Sequence, residues 1–271
     1  MTTRNIVIIG AGNIGISLAK GLVASGKYNA ENIALVKRDI TTISVLAQEG
    51  YSVTNDIPVA VENADVIVLS VLPQQLKPLL VRLNDYLLPD KHLIVSVVSG
   101  VTVSDITAFL KPGMPVIRAM PNIAISIRES MTCIAHDKAK VEHVAFIKDM
   151  FDAVGETIEI HEELMTSATA LCACGIAFFL RAIRAASQGG IELGFHADEA
   201  LKMAAQTAKG AASLLKITGA HPENEIDKVT SPKGCTIAGL NEMEYKGFSA
   251  ALIKGIKVSA KIAGELYKDK N

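Results

Sequence analysis

The chain has 271 residues, of which 49% are hydrophobic and 20% charged, and its formal net charge is −1. This composition supplies a substantial core and excludes a disordered chain, and the absence of a basic cluster argues against a nucleic-acid or membrane-surface partner. No apolar run approaches the ~20 residues of a membrane-spanning helix, so we expect no membrane partner either.

The cysteines and the N-terminus point to a reducing compartment. Cys133, Cys172, Cys174 and Cys235 contain no C-x-x-C pair, and the simplest interpretation is small buried hydrophobes. The first twelve residues enter a glycine motif at once, which leaves no room for a signal peptide. We therefore predict a cytoplasmic protein. The six histidines show no metal-ligand spacing, so we predict no metal site.

In the first half, short apolar runs alternate with amphipathic stretches. The runs are β-branched and nearly continuous, as in parallel strands buried on both faces; they lie at 5–10, 32–36, 64–71, 92–98 and 115–120. Helices are expected between them, at 13–25, 40–49 and 74–87. This alternation predicts an α/β fold with a doubly wound parallel sheet of the Rossmann type.

After about residue 162 the pattern becomes helical, with candidate helices at 163–189, 197–217 and 248–268. We therefore divide the chain into a dinucleotide-binding domain, 1–162, and a helical domain, 163–271, that binds substrate and dimerises. Much of 166–186 is apolar or small nearly all round. Such a helix must be buried. We expect a homodimer that shares these helices; burial against the first domain is the alternative.

A dinucleotide-binding motif opens the chain. Gly10, Gly12 and Gly15 form G-x-G-x-x-G directly after the first strand and at the start of a helix. In this pattern the first glycine makes the tight turn, the second lets the backbone approach a pyrophosphate, and the third packs helix against strand. A purely structural glycine turn is the alternative.

The end of the second strand indicates which dinucleotide is bound. An NAD site usually has an Asp or Glu there to bind the ribose 2′-OH, but Lys37 and Arg38 occupy these positions. Two cations suit a 2′-phosphate, so NADPH is favoured over NADH. Two alternatives stay open: both charges are solvated turn residues, or Asp39 serves as the acid if the strand ends later.

Residues 229–240 read VTSPKGCTIAGL and have the layout of an anion site. Ser231 is a good N-cap and Pro232 suits the first helical position. Gly234, Cys235 and Thr236 then bring small side chains to a helix start, where unpaired backbone N–H groups bind anions.

With these features the chain resembles the pyrroline-5-carboxylate reductases. The stretch 229–240 is similar to the family signature V-[TS]-S-P-G-G-x-T-I-x-[AG]-L, RAMPN (118–122) to R-x-M-P-N, and SATALCACG (167–175) to A-x-T-[AG]-L-S-G-S-G. The resemblance implies a Rossmann domain joined to a helical dimerisation domain, with dimers often assembled into rings. It also implies reduction of the cyclic imine 1-pyrroline-5-carboxylate to L-proline by NAD(P)H, in proline biosynthesis.

The resemblance places the substrate carboxylate on Ser231, Gly234, Cys235 and Thr236, with Thr236 as the catalytic contact. Besides the three glycines, Lys37 and Arg38, we expect the cofactor to be bound by Asn13, Ile14, Ser70, Val71, Pro73, Val98 and Asn122. Clamping the carboxylate would orient the imine carbon against the nicotinamide, and a protonated nitrogen would accept hydride better. No catalytic nucleophile is required.

The chain also departs from the family pattern. Leu72 replaces a cation near the cofactor, a cofactor-binding Asn falls at about Ile57, Ile123 replaces a hydroxyl, and CACGIAF (172–178) loses polar positions. Ala220 stands where relatives often have Glu, and Lys233 replaces a glycine.

These departures leave other interpretations open. Glu162 and Glu163 precede the long helix, where either could assist the iminium or cap the helix; Glu162 is our candidate substrate contact. One alternative function is a divergent imine or β-hydroxyacid-type reductase, for which Lys202 and Lys209 are candidate acid/base groups, although solvated lysines are commoner. The other alternative is a non-catalytic NADPH-binding protein.

Overall fold

A computed structural model describes residues 4–267, and these form two compact units. The first unit runs to Cys174 and takes in the stretch from Val258 onward; the second is Gly175–Lys257. The first unit contains a single eight-stranded sheet, whereas the second contains helices and their connections. The expected α/β fold followed by a helical region is confirmed.

The sheet is built from β1 (Ile6–Ile9), β2 (Ile33–Val36), β3 (Ser52–Thr54), β4 (Val66–Leu69), β5 (Leu93–Ser96), β6 (Val116–Met120), β7 (Ser130–His136) and β8 (Gly155–Glu159). The order across it is β3-β2-β1-β4-β5-β6-β7-β8. Strands β1 to β6 pair in parallel, β7 is antiparallel to β6, and β8 is parallel to β7. The winding reverses between β1 and β4, and open α/β sheets bind ligands at such a switch point.

The helices of the first unit are α1 (Asn13–Ala24), α2 (Val45–Gln48), α3 (Ile57–Glu62), α4 (Pro73–Asn84), α5 (Val103–Thr107), α6 (Val141–Asp152) and α7 (Met165–Ala168), with a π-helical segment at Thr169–Cys174. Short 3-10 turns lie at Ala30–Asn32, Ile40–Ile43, Ile123–Ile127 and Glu162–Leu164. In the second unit lie α8 (Gly175–Glu192), α9 (Ala197–Thr218), α10 (Pro222–Val229) and α11 (Cys235–Tyr245). Helix α12 (Phe248–Ala263) begins in the second unit and ends in the first.

The core of the first unit lies on both faces of the sheet, because successive strand residues point to opposite faces. Ile6 and Ile8 pack with α1 and α6, while Val7 and Ile9 pack with α4 on the other side. Every residue of β1, β4, β5 and β6 is buried. Burial on both faces is the reason that these strands are continuous apolar runs in the sequence.

The five predicted strands are all present, within two residues at each end. The predicted helix 40–49 is wrong: the stretch is the 3-10 turn Ile40–Ile43 followed by the short α2. The carboxylate of Asp39 accepts a hydrogen bond from Thr41 N and starts the 3-10 turn, and the β-branched residues that follow favour α-helix weakly. The sequence does not predict β3, β7 or β8, because polar residues interrupt their apolar pattern.

The helices of the second unit carry many exposed apolar side chains. Phe179 and Leu180 on α8 are 62% and 52% exposed, Ile217 on α9 is 84% exposed, and Ile253 on α12 is 59% exposed. Apolar area of this extent normally marks an interaction surface.

The helical stretch Glu162–Glu192 corrects one expectation from the sequence. Its 31 residues, with a mean hydropathy of 1.6 in the most apolar window, are long and apolar enough to cross a membrane by length and composition. The expectation that no such run exists is therefore wrong. The core helix of a water-soluble protein passes the same test, so the match is weak evidence for a membrane span.

Candidate active site

A large cleft opens at the carboxyl ends of β1, β2, β4 and β5 in the first unit. Its volume is about 1250 Å³, above the usual range of about 300–1,000 Å³ for small-ligand pockets. Ten predicted cofactor residues line it: Gly10, Gly12, Asn13, Ile14, Lys37, Arg38, Ser70, Val71, Pro73 and Val98. The topology thus gathers residues that are far apart in the sequence into one concave site.

The glycine loop after β1 has the geometry of a phosphate cradle. Gly10 has φ +101°, and a Cβ there would lie 2.2 Å from the Ser70 carbonyl oxygen, so no other residue fits. A Cβ at Gly12 would meet nothing within 4 Å, which leaves an open approach to the backbone. A Cβ at Gly15 would lie 2.7 Å from the Gly10 oxygen, so this glycine permits close helix–strand packing and does not line the cleft.

The loop leads into the N-terminus of α1. The first helical hydrogen bond runs from Ile16 N to the Gly12 oxygen at 2.9 Å, so the N–H groups of residues 13–15 have no acceptor within the helix. They carry the positive end of the helix dipole. Such an N-terminus stabilises a bound anion.

At the end of β2, Lys37, Arg38 and Asp39 all line the cleft. Within residues 4–267, neither cation forms an ion pair. The Asp39 carboxylate accepts hydrogen bonds from Thr41 N at 3.1 Å and Thr41 Oγ1 at 2.6 Å. Those bonds, followed by the nearby Lys37 charge, lower the pKa of Asp39. The acid is thus engaged in a local turn, while both cations remain available to a ligand.

Several lining residues were not predicted, and three of them bear on ligand binding. Asn55 directly follows β3, so an asparagine does line the cleft, two residues before Ile57, where the family asparagine was expected to be lost. Arg82 on α4 adds a third cation, and Leu266 closes part of the rim. The position of Asn55 directly after a strand could have indicated it as a site residue. No sequence signal marks Arg82 or Leu266.

Leu72, the expected departure from the family cation, lines the cleft with 62% of its surface exposed. Its backbone N–H donates to Gln75 Oε1 at 3.3 Å at the start of α4. The cleft therefore presents an apolar side chain where relatives are expected to present a charge.

Asn122 does not line this cleft. Its side chain accepts from Ala124 N at 3.0 Å and donates to the Cys172 carbonyl oxygen at 3.2 Å. Its backbone N–H donates to Ser130 Oγ at 3.1 Å. These bonds hold the chain after β6; the predicted cofactor contact of Asn122 stays a prediction.

Glu162 is engaged with two other elements of the first unit. Its Oε1 accepts from Val103 N at 2.6 Å, at the start of α5, and from Arg118 on β6 at 3.3 Å. The Arg118 side chain is only 4% exposed, and burial lowers the pKa of its guanidinium. Glu163 is exposed. Glu162 therefore lies in the first turn of its own 3-10 helix and also accepts the first N–H of α5, whose N-cap is Thr102.

The predicted anion site lies in the second unit, and its helix starts later than expected. Helix α11 begins at Cys235 with Gly234 as N-cap, so the expected N-cap role of Ser231 is wrong. The Gly234 N–H donates to the Ser231 oxygen at 2.9 Å, with Pro232 and Lys233 between them. This is a β-turn, and proline at its second position favours a turn over a helix start.

Lys233 has φ +59°, one of two positive values outside glycine among the described residues. An L-residue in this conformation is strained by roughly 1–2 kcal/mol, and the family glycine would avoid that cost. Thr236 lies half-buried in the first turn of α11, and its hydroxyl makes no hydrogen bond within residues 4–267. The first N–H groups of α11 and this hydroxyl are therefore available together. Lys202 and Lys209 on α9 are exposed.

Comparison with known proteins gives the family. Residues 162–266 match the model for pyrroline-5-carboxylate reductase dimerisation, and residues 5–100 match the model named NADP oxidoreductase coenzyme F420-dependent. The structure superposes on Plasmodium falciparum pyrroline carboxylate reductase with NADP bound with a TM-score of 0.90, covering 99% of this chain and 100% of that one. At 20% identity this likeness concerns the fold.

Two relatives from Dictyostelium discoideum cover nearly all of the chain. Pyrroline-5-carboxylate reductase 1 is 49% identical over 98% of this chain, which spans half the length of that relative. Pyrroline-5-carboxylate reductase 2 is 46% identical over 95% of this chain and 91% of its own length. The 46% identity to reductase 2, over almost the whole of this chain and of that relative, shows that the chain belongs to the pyrroline-5-carboxylate reductase family.

Proposed function

We propose that this chain reduces 1-pyrroline-5-carboxylate to L-proline by hydride transfer from NADPH, the last step of proline formation. The main observation behind the proposal is the cleft, with its glycine loop and two cations without an ion pair, in a chain that matches a family member over 95% of its length. NADH is the alternative donor.

The first unit offers a separate group to each part of the dinucleotide. The glycine loop and the N-terminus of α1 suit the pyrophosphate, since an open backbone approach at Gly12 meets unpaired N–H groups. Lys37 and Arg38 suit the 2′-phosphate, and Asn55 can hydrogen-bond near the adenosine. When bound, the nicotinamide supplies the hydride. The remaining work of the chain is to bind and orient the imine.

The turn at the start of α11 is our candidate carboxylate clamp. The Gly234 N–H is already used by the Ser231 oxygen, so Gly234 contributes as the N-cap that exposes the next N–H groups. The backbone N–H groups of Cys235 and Thr236, with the hydroxyls of Ser231 and Thr236, can hold two carboxylate oxygens. Thr236 is the proposed catalytic contact, since its hydroxyl has no protein partner within the described chain. Fixing one end of a small ring leaves few orientations for the imine carbon.

Glu162 stays a candidate contact for the protonated imine nitrogen. Its Oε1 is engaged by Arg118 and Val103, but Oε2 makes no hydrogen bond within residues 4–267. One oxygen of the carboxylate can therefore hold the protein together while the other faces a ligand.

A reductase of another small imine carboxylate is the second candidate. It is favoured by Leu72, which makes the cleft apolar where the family pattern has a cation. Ile123, 50% exposed after β6, is a second change of the same kind. Both candidates use the same cofactor cleft and carboxylate clamp.

We further propose that the chain acts as a homodimer through its helical half, with 1–162 and 163–271 as functional domains and with rings of dimers as a larger form. The exposed apolar residues of α8, α9 and α12, together with the match of residues 162–266 to a dimerisation family, support this. The four free cysteines support our proposal of a cytoplasmic location.

The net charge of −1 gives no electrostatic attraction to nucleic acid or to an acidic membrane surface, so we propose neither as a partner.

The test is NADPH oxidation by the purified protein with 1-pyrroline-5-carboxylate, with proline identified by mass. Turnover supports the proposal. Turnover restricted to another imine or to a β-hydroxyacid would replace the substrate, and tight NADPH binding without any turnover would indicate a non-catalytic protein.

The cofactor assignment is tested by the double variant Lys37→Ala/Arg38→Ala. We expect the preference for NADPH over NADH to fall by at least 10- to 100-fold, because the loss of even one hydrogen bond to a charged group costs about 1.5–3 kcal/mol. The matched control is Lys138→Ala/Lys140→Ala, which removes two exposed cations outside the cleft. An unchanged preference in the first variant would show that the cations are solvated turn residues.

A further inference from the structure

Two thiols meet in a small sulfur-rich cluster of the first unit. Cys133 lies on β7, opposite Met120 of β6, and Cys172 lies in the π-helical segment Thr169–Cys174. Their Sγ atoms are 3.8 Å apart. Met120 and Met165 belong to the same apolar cluster. Neither thiol has a part in the proposed reduction, so the pair requires its own explanation.

The two thiols differ in environment. Cys133 is 3% exposed, whereas Cys172 is partly exposed. Either thiol can donate across this contact; donation from the buried Cys133 S–H to the Cys172 sulfur lowers the pKa of Cys172 to about 7 and raises the pKa of Cys133. A thiolate is the reactive form of cysteine. In the single chain, the more exposed member of the pair is therefore also the one that ionises first.

We propose that Cys172 and Cys133 form a peroxide-reactive pair, in which Cys172 reacts with a hydroperoxide and Cys133 converts the product to an intrachain disulfide. Neither thiol lines the cofactor cleft, and neither belongs to the residues of the proposed carboxylate clamp. Partial exposure beside a second, buried thiol is the arrangement of redox-sensitive cysteines.

The chemistry needs hydrogen peroxide as the only co-reactant. The Cys172 thiolate attacks one peroxide oxygen, the O–O bond breaks, and the leaving hydroxide takes a proton to become water, so that sulfur is oxidised to a sulfenic acid and peroxide is reduced. The Cys133 sulfur then attacks the Cys172 sulfur. The S–O bond breaks, and hydroxide leaves with the Cys133 proton as a second water.

The geometry permits this closure. A disulfide has an S–S length of about 2.05 Å, so the sulfur atoms must approach by somewhat under ~2 Å. Cys133 is fixed within the paired strand β7, while Cys172 lies in a π-helical segment, a form of helix less regular than the α-helix. The Cys172 carbonyl oxygen is held by Asn122 Nδ2 at 3.2 Å, so rotation of the Cys172 side chain is the simplest way to close the gap.

The full-length protein is treated with hydrogen peroxide, and the products are read by thiol counting and by peptide mass. We expect loss of two thiols, a link between the peptides that carry residues 133 and 172, and restoration by dithiothreitol. Cys174→Ser, which removes the neighbouring thiol, should behave as the wild type. These readouts are independent of turnover, so they succeed or fail separately from the proposed reductase activity.

Two variants divide the mechanism into its steps. Cys133→Ala should stop at the sulfenic acid, trapped on Cys172 by a dimedone-type reagent, and Cys172→Ser should leave Cys133 at least tenfold less reactive than Cys172 in the wild type. A link through Cys174 or Cys235, a link between two chains, or direct over-oxidation of Cys172 in the wild type would overturn the proposal. All of these contrary outcomes are measured on the wild-type protein. The proposal can therefore be refuted even if a variant fails to fold.

Discussion

The buried contact between Arg118 and Glu162 offers a stringent test of how this fold is held together. We expect Glu162→Ala to destabilise the first unit, because it removes the carboxylate that neutralises a guanidinium with only 4% of its side chain exposed. The same change leaves Val103 N without its acceptor at 2.6 Å. Arg118 already has one unsatisfied atom, Nε, so the variant would leave a buried cation with still fewer partners.

The magnitude follows from burial. Breaking a fully buried pair by removing one partner costs about 3–5 kcal/mol, and an orphaned backbone donor costs about 1–3 kcal/mol. The Glu162 side chain is 26% exposed, so water partly replaces it and the two costs are not fully additive. We therefore expect roughly 2–4 kcal/mol, which for a unit of this size lowers Tm by about 5–15 °C.

The assay is thermal and urea unfolding of Glu162→Ala, Glu162→Gln and the control Glu163→Ala. Glutamine retains an oxygen that can accept from Val103 N, so the loss of stability in Glu162→Gln measures the contribution of the negative charge alone. Glu163 is exposed, and its removal should change stability by less than about 0.5 kcal/mol. Equal Tm values for Glu162→Ala and the control would refute the structural role. A raised KM at unchanged Tm would assign Glu162 to the substrate instead.

Three further outcomes are expected. Thr236→Val should raise KM or lower kcat about tenfold through one lost hydrogen bond to a charged group; wild-type kinetics would remove Thr236 from the mechanism. Gly10→Ala should abolish NADPH binding or folding, because its Cβ would lie 2.2 Å from the Ser70 oxygen, and calorimetric titration at wild-type affinity would contradict this. Alkylation of Cys172 should accelerate as pH rises through about 7, where its thiolate forms, and Cys133→Ala should move that rise to higher pH; mass spectrometry of quenched samples follows both.

Some of the site can be predicted from neighbouring residues alone. The glycine motif is a local signal, because each glycine is required by the strand before it and the helix after it. The structure shows the expected surroundings at all three positions. The positions of Lys37 and Arg38 follow from the end of one strand, and both line the cleft. A short-range signal of this kind does not depend on how the rest of the chain is arranged.

Other parts of the site depend on contacts between distant residues. Arg82 enters the cleft from α4, and Leu266 comes from a stretch more than 180 residues further on (266 − 82 = 184). Helix α11 begins at Cys235 and not at the predicted Pro232, because a turn closed by the Ser231 oxygen competes with the helix. No local pattern distinguishes those two outcomes, since proline and serine suit both.

By itself, the sequence determined five of the parallel strands, the nucleotide motif and the helical second half, because each rests on periodicity or on backbone requirements of a few adjacent residues. Only the tertiary structure decided the partners of the buried groups. Glu162 accepts a hydrogen bond from the start of α5 and pairs with Arg118, which lies 44 residues away in the sequence. Cys133 contacts Cys172, which is 39 residues away. A buried polar group or thiol can interact only with the protein groups around it, because water is excluded. The folding of distant segments determines which groups those are.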